Sequence, residues 1–330
     1  MSNVTSAIRR AIRDKIGWSW IAAAISVLIV TIAVVTLLRV FREIESAGVI
    51  AALKGQSLHR LLGAGGFVAA GYVILIGYDI FALRAVGWKT VPYRVAAFAS
   101  FTSYTIGHNF GATVFTSGVI RYRIYSAWGL GIGDIAKIAF ITGLTYWLGN
   151  AVVLGFGILY APDAASAVDR LPASINRLIG YSGLICVACY MLWLLPRPRF
   201  VGGTNWQIAL PGPRSTLVQI AIGAVDLIFV ALAMYAVLPA QPAIDPLHLI
   251  VIFVIAMLIG VVSYTPGSLG VMEAVMFMGL PQFGREDLLA SLVTFRALYF
   301  VLPMLLASLL LGLRELTIAV RGSIGAGKRD

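Results

Sequence analysis

Charged side chains are scarce in this 330-residue chain: 25 Lys and Arg and 14 Asp and Glu, 12% together. A soluble domain carries about 25%. With 60% hydrophobic residues and a mean hydropathy of +0.92, the composition excludes a soluble enzyme and a nucleic-acid-binding domain. Two cysteines are too few for a disulfide scaffold, and the three scattered histidines (His59, His108, His248) make no metal site. Cys186 and Cys189 form a C-x-x-C within an apolar helix, where packing accounts for them. Gly322 to Lys328 spells G-x-x-x-x-G-K, but Arg329 stands where a phosphate loop needs Ser or Thr, and no helix is expected after it. No nucleotide site, cofactor or metal is therefore expected. The fold class that remains is an all-α polytopic integral membrane protein.

A bilayer core of roughly 30 Å takes about 20 apolar residues in helix. The run 16–38 follows Arg9, Arg10, Arg13 and Lys15 and reads as a signal anchor. Further runs cover 62–83, 95–118, 134–160, 178–195, 216–238, 247–280 and 288–313. Two of them are not clean spans. Residues 95–118 hold Ser100, Thr102, Ser103, Thr105, His108 and Asn109 with Gly107, Gly111 and Gly118; residues 247–280 are interrupted by Pro266-Gly267-Ser268-Leu269-Gly270. Proline removes a backbone donor and glycine removes helical preference. In hydrocarbon such a break survives only where protein or a wet cavity satisfies the freed groups. Both runs read as re-entrant broken-helix hairpins, leaving six full spans among eight hydrophobic segments, with both termini cytoplasmic. That orientation places sixteen Lys and Arg inside and seven outside, the bias that holds such chains in place. The expected organisation is a basic N-tail (1–15), one transmembrane domain (16–313) and a short cytoplasmic tail (314–330).

Ser103-Tyr104-Thr105-Ile106-Gly107 is echoed by Ser263-Tyr264-Thr265-Pro266-Gly267, each after a span with an embedded aspartate, Asp79 or Asp226. Two hairpins entering from opposite sides would form an inverted repeat with halves 61–160 and 216–313, as in transporters whose broken segments mark the substrate site. An acid in the bilayer costs roughly 2.5–3.5 kcal/mol on insertion scales, so Asp226 and Glu273 each call for a partner, a proton or a cationic substrate group. For Asp79, five residues before Arg84, a structural ion pair weighs more. Arg296 lies within the last span, where pairing with Glu273 competes with snorkelling to the interface. Arg121 and Arg123 follow the first hairpin, and their planar forks suit a phosphate. His108-Asn109 marks the first break, where a lone histidine more often plugs than ligates.

These residues resemble a known family. Pro266-Gly267-Ser268-Leu269-Gly270-Val271-Met272-Glu273 is similar to the P-G-G-L-G-x-x-E signature of the membrane region of lysylphosphatidylglycerol synthase/flippases, with Ser268 in place of the second glycine. The similarity extends to Asn109-Phe110-Gly111, to Gly118-x-x-Arg121-Tyr122-Arg123 with Gly129-Leu130, and to Arg296-x-x-Tyr299-x-x-x-Pro303. In two-part members a C-terminal cytoplasmic domain transfers lysine from its tRNA to phosphatidylglycerol, and the membrane region is thought to move the product outward. Only the 17 residues 314–330 follow the last span here, so the resemblance implies the stand-alone flippase half without synthesis.

The expected activity is therefore lipid translocation between leaflets of a bacterial inner membrane, not enzymatic catalysis. The cargo would be an anionic or aminoacylated phospholipid. The substrate path would use Arg121, Arg123, His108, Asn109, Glu273, Arg296 and Asp226. Backbone breaks would fall at Gly107, Gly111, Gly118, Pro266, Gly267, Ser268 and Gly270. Alternatives are an intramembrane lipid-modifying enzyme built on His108, or a non-catalytic partner of a separately encoded lipid synthase; a homo-oligomer is a further candidate. Two outcomes follow: Glu273→Gln stops lipid exchange without unfolding the chain, and cysteines at 108 and 268 are reached from opposite sides.

Overall fold

A computed structural model describes residues 47–110, 113–203, 206–263 and 266–326. The basic tail 1–15, the run 16–38, Gly111 and the Tyr264-Thr265 part of the echo lie outside the described residues. The described chain is helical apart from one short hairpin. The helices are α1 (Ala47–Lys54), α2 (Leu58–Val86), α3 (Tyr93–Phe110), α4 (Thr113–Tyr125), α5 (Ile132–Tyr160), α6 (Pro162–Asp169) and α7 (Ala173–Leu194). After strands β1 (Phe200–Gly203) and β2 (Trp206–Ala209) come α8 (Pro213–Val237), α9 (Pro246–Val262), α10 (Val271–Gly279), α11 (Arg285–Arg296), a π-helical turn (Ala297–Val301) and α12 (Leu302–Ala326). Among the described residues, α2, α5, α7, α8 and the stretch Arg285–Arg314 are long and apolar enough to cross a membrane, and α9 is a shorter apolar helix.

Local chemistry sets the ends. Ser57 caps α2 by accepting from the Arg60 amide at 3.4 Å. Gly87, at φ +97°, closes it in the left-handed region that glycine enters without strain. Asp134 reaches back to the Gly131 amide at 3.0 Å at the start of α5, and Asp245 accepts from Leu247 at 2.9 Å ahead of Pro246.

The centre is a stack of α2, α8 and α5. Helices α2 and α8 run antiparallel, with Gly71 against Val230, Gly77 against Ile222 and Arg60 donating to the Leu238 carbonyl at 3.4 Å. Helices α5 and α8 run parallel, joined by Gln219 Nε2 to Thr145 Oγ1 at 2.9 Å. They cross where Gly149 meets Gly223: a Cβ on Gly223 would lie 2.5 Å from the Thr145 carbonyl oxygen. Gly223→Val should therefore wedge the pair apart at a cost of about 1–3 kcal/mol or more, read as a lower melting temperature in detergent. Gly118→Ala, with open space around its Cβ, should hold or raise it.

The two irregular runs are hairpins, each shorter per arm than a bilayer is thick. Helices α3 (18 residues) and α4 (13) are about 27 and 20 Å long; α9 (17) and α10 (9) are about 25 and 14 Å. Ser117 Oγ donates to the Ser103 carbonyl at 2.9 Å and Thr113 Oγ1 to that of Gly107 at 3.2 Å, so α3 and α4 fold back antiparallel. Gly279 faces Ile252 and Gly260 faces Ser268, which makes α9 and α10 antiparallel too. The first hairpin is based beside the C-terminal end of α2, where Trp88 covers Gly129. The second is based at the other end, where Leu238 meets Arg60 and Ser291 donates to the Val237 carbonyl. The hairpins thus enter the bundle from opposite ends.

Three sequence expectations need correction. The first hairpin spans 93–125, with α3 ending at Phe110 and α4 running from Thr113 to Tyr125, so Arg121 and Arg123 lie on its returning helix, not beyond it. The segment Ser103–Gly107 is unbroken helix: Ser103 and Thr102 bond back to the Ser100 and Phe98 carbonyls, which absorbs their polarity without a break. Gly107 and Gly118 are accordingly helical, Gly107 serving close approach to Ser117 and Thr113. In the second hairpin the backbone is broken as the sequence implies, with Gly267 (φ +59°), Ser268 (φ +53°) and Gly270 (φ +78°) in the left-handed half of conformational space.

Candidate functional site

The two hairpin tips meet at the middle of the molecule on one segment, the end of α11 and the π-turn after it. Arg296, 2% exposed, is the knot. Its Nε donates to Glu273 Oε1 at 2.5 Å, Nη1 to the Gly267 carbonyl at 2.8 Å and Nη2 to that of Ser268 at 3.4 Å. Glu273 Oε2 accepts from the Gly270 amide at 2.7 Å and so caps α10. The left-handed turn aims two carbonyls at one guanidinium, and the planar fork of arginine suits that array. The pairing of Arg296 with Glu273 expected from the sequence is present. From the other side, Asn109 Nδ2 donates to the Phe300 carbonyl at 3.3 Å, and Tyr72 Oη to the Tyr299 carbonyl at 3.0 Å. A π-turn frees carbonyls that an α-helix would occupy, and both hairpins are tied to this stretch.

A second ion pair lies toward the other end. Arg121 Nη2 approaches Asp79 Oδ1 at 2.7 Å with Nε bridging both carboxylate oxygens, and Tyr125 Oη donates to Oδ2 at 2.8 Å. The guanidinium also sits 4.6 Å over the Tyr104 ring, a cation–π contact. Arg84, nearer in sequence, is not the partner Asp79 takes. Arg123 is half-buried and does not line the cavity described next.

Between the tips lies a cavity of about 180 Å³. Its floor and walls include His108 and Arg121 from the first hairpin, Ser268 from the second, Tyr146 from α5, Asp226 from α8 and Tyr299 from the π-turn. Two residues of its lining are exposed at the surface, Val114 of α4 (65% exposed) and Trp147 of α5 (51% exposed). Two buried polar atoms on its lining, His108 Nδ1 and Asp226 Oδ1, have no hydrogen-bond partner among the described residues. Among the described residues Asp226, 6% exposed, accepts only from Tyr78 Oη, at 3.1 Å on Oδ2. Glu273 and Arg296 stand outside the lining and hold one tip in place. Among the described residues no cluster of His, Cys, Asp or Glu suits a metal ion.

Of the residues expected from the sequence, His108, Arg121, Asp226 and Ser268 are brought together at this cavity, Asn109, Glu273, Arg296, Gly267 and Gly270 anchor the tips, and Arg123 and Gly118 lie apart. The tyrosines Tyr78, Tyr104 and Tyr146 were not singled out. The available signals were Tyr78 beside Asp79 within an apolar run and Tyr104 within the repeated Ser-Tyr-Thr motif.

No family model matches the chain. It is 31% identical over 271 residues to the uncharacterized protein slr0712 of Synechocystis, covering 81% of this chain and 83% of that one. It is 26% identical over 284 residues to the inner membrane protein YbhN of Escherichia coli, covering 84% and 87%. A 61-residue stretch is 41% identical to a phosphatidylglycerol lysyltransferase of Staphylococcus epidermidis, but this is 18% of the present chain and 7% of the relative. The chain is an all-α membrane protein and belongs to the family of slr0712, to which YbhN is a further relative.

Proposed function

We propose that the protein is a lipid translocase of the bacterial inner membrane, moving a phospholipid between leaflets. The observation that carries this reading is the meeting of two oppositely inserted hairpins across a largely apolar cavity into which His108, Arg121 and Asp226 bring polar groups, with the exposed Val114 and Trp147 on its rim. A headgroup can enter between α4 and α5 while its acyl chains stay in the bilayer. Arg121 is the phosphate-binding residue of this reading, since a lipid phosphate competes with Asp79 for the same fork. Asp226 faces any cationic part of the headgroup, as in an aminoacylated phosphatidylglycerol. Arg296 and Glu273 act as positioning residues that join both tips. The opposite insertion of the hairpins supports an inverted repeat of 61–160 and 216–313 and, with the charge bias, both termini in the cytoplasm. Kinship to an inner membrane protein and the short match to a lipid-aminoacylating one support the location and the lipid cargo.

Reconstitution tests the reading. Purified protein in liposomes holding lipids fluorescent on one acyl chain should make inner-leaflet label accessible to an external quencher, above the rate of protein-free vesicles. Vesicles indistinguishable from protein-free ones for phosphatidylglycerol, its aminoacylated form and phosphatidylethanolamine would overturn it. A second reading, an intramembrane lipid-modifying enzyme, is favoured by His108 and Asp226 lining one cavity. His108→Ala separates the two: an enzyme loses turnover, whereas a translocase keeps measurable exchange.

A further inference from the structure

We propose that Asp226 is an exchange site that holds a proton until an ammonium group of the cargo headgroup displaces it, so that lipid movement is driven by a proton gradient. This rests on the translocase reading and adds to it an energy source and a charge preference.

The argument begins with charge. Of the five ionisable side chains buried around the hairpin tips, Asp79 is matched by Arg121 and Glu273 by Arg296. Asp226 alone has no cation among the described residues, and one of its oxygens has no donor at all. A carboxylate removed from water without a counter-charge is neutralised by taking up a proton. A cation delivered by cargo is the other way to neutralise it. The groups facing it exclude an internal substitute. Helix α2 brings Tyr72 and Tyr78 and α3 brings Tyr104 and His108; α4 brings Arg121, already held by Asp79; α5 brings Tyr146 and the π-turn Tyr299. Helix α9 contributes Phe253, Met257, Gly260 and Val261, none titratable, and α7 and α11 contribute nothing to the lining.

The surroundings fit an ammonium group. Aromatic faces attract organic cations, and Tyr78, Tyr104, Tyr146, Trp147 and Tyr299 share the cavity with Asp226. The hydroxyls of Tyr104 and Tyr146, on the same lining, supply acceptors for ammonium protons beyond the one the carboxylate takes. When cargo enters from one leaflet, the O–H bond of the Asp226 carboxyl breaks, its proton leaves to water at the cavity mouth, and the carboxylate pairs with the ammonium. When cargo leaves to the other leaflet, the carboxylate takes a proton from water on that side. One headgroup cation crosses in one direction and one proton in the other.

The test uses the full chain in liposomes with a trapped pH dye and an aminoacyl-phosphatidylglycerol fluorescent on one acyl chain. One-for-one exchange converts a gradient of one pH unit into about a tenfold leaflet asymmetry of cargo, and the dye records protons moving against it. Asp226→Asn should abolish both responses, and Asp226→Glu should retain them. Exchange by the wild type that ignores the gradient and leaves the dye silent overturns the inference while leaving the translocase standing. Gradient-driven exchange surviving in Asp226→Asn also overturns it. If neither this lipid nor fluorescent phosphatidylglycerol moves at all, the translocase reading itself falls.

Discussion

Arg296→Ala should be among the most damaging single substitutions in the chain. It leaves the Glu273 carboxylate buried, strips the donors from the Gly267 and Ser268 carbonyls, and unties the second hairpin from the π-turn. Breaking one side of a buried ion pair costs about 3–5 kcal/mol, a large share of the roughly 5–15 kcal/mol by which folded chains are stable. The expected outcome is loss of the monodisperse peak in detergent. Glu273→Gln is milder, since the amide oxygen still faces Arg296, but it removes the charge that the guanidinium needs. The sequence alone suggested that this variant folds undisturbed. The geometry instead predicts a lowered melting temperature together with slowed exchange. A double-mutant cycle on the two residues should show coupling, because the second replacement removes the charge the first left unpaired.

The Asp79–Arg121 pair gives the second large effect, and it separates stability from transport. Arg121→Met alone leaves Asp79 with Tyr125 as its one remaining donor among the described residues and should also cost about 3–5 kcal/mol. Replacing both members by apolar residues of similar volume, Asp79→Leu with Arg121→Met, should recover folding, since such swaps are often neutral or stabilising. Lipid exchange should not recover, because the cavity then has no fork for a phosphate. Melting temperature and leaflet exchange, measured on the same preparations, check both halves. A double variant that folds and still exchanges lipid at the wild-type rate would remove Arg121 from the path.

The long apolar helices were readable because a membrane-spanning helix is specified by hydropathy alone, and runs such as 134–160 and 216–238 match α5 and α8 to within a few residues. The break at Pro266–Gly270 was readable for a different reason: proline and paired glycines cannot continue a helix. The first hairpin misled because Ser, Thr and Gly look like a break while their hydroxyls bond back into the helix. Glu273 and Arg296 stood out as opposite charges in apolar surroundings. Asp79 and Arg121 are 42 residues apart, and a nearer arginine masked the partnership. The aromatic wall was invisible because its tyrosines come from four separate elements, which only the fold brings to one cavity.

Both hairpin tips line or border one cavity, so cysteines at 108 and 268 would not report which side each hairpin enters from. Their bases would. Single cysteines at the exposed positions Ser126 and Gln282, in a chain with Cys186 and Cys189 changed to serine, can be probed in whole cells and inverted vesicles with a maleimide that does not cross membranes. Ser126→Cys should react only from the cytoplasmic face and Gln282→Cys only from the opposite one. Reaction of both from the same face would contradict opposed hairpins, and with them the passage they are taken to form.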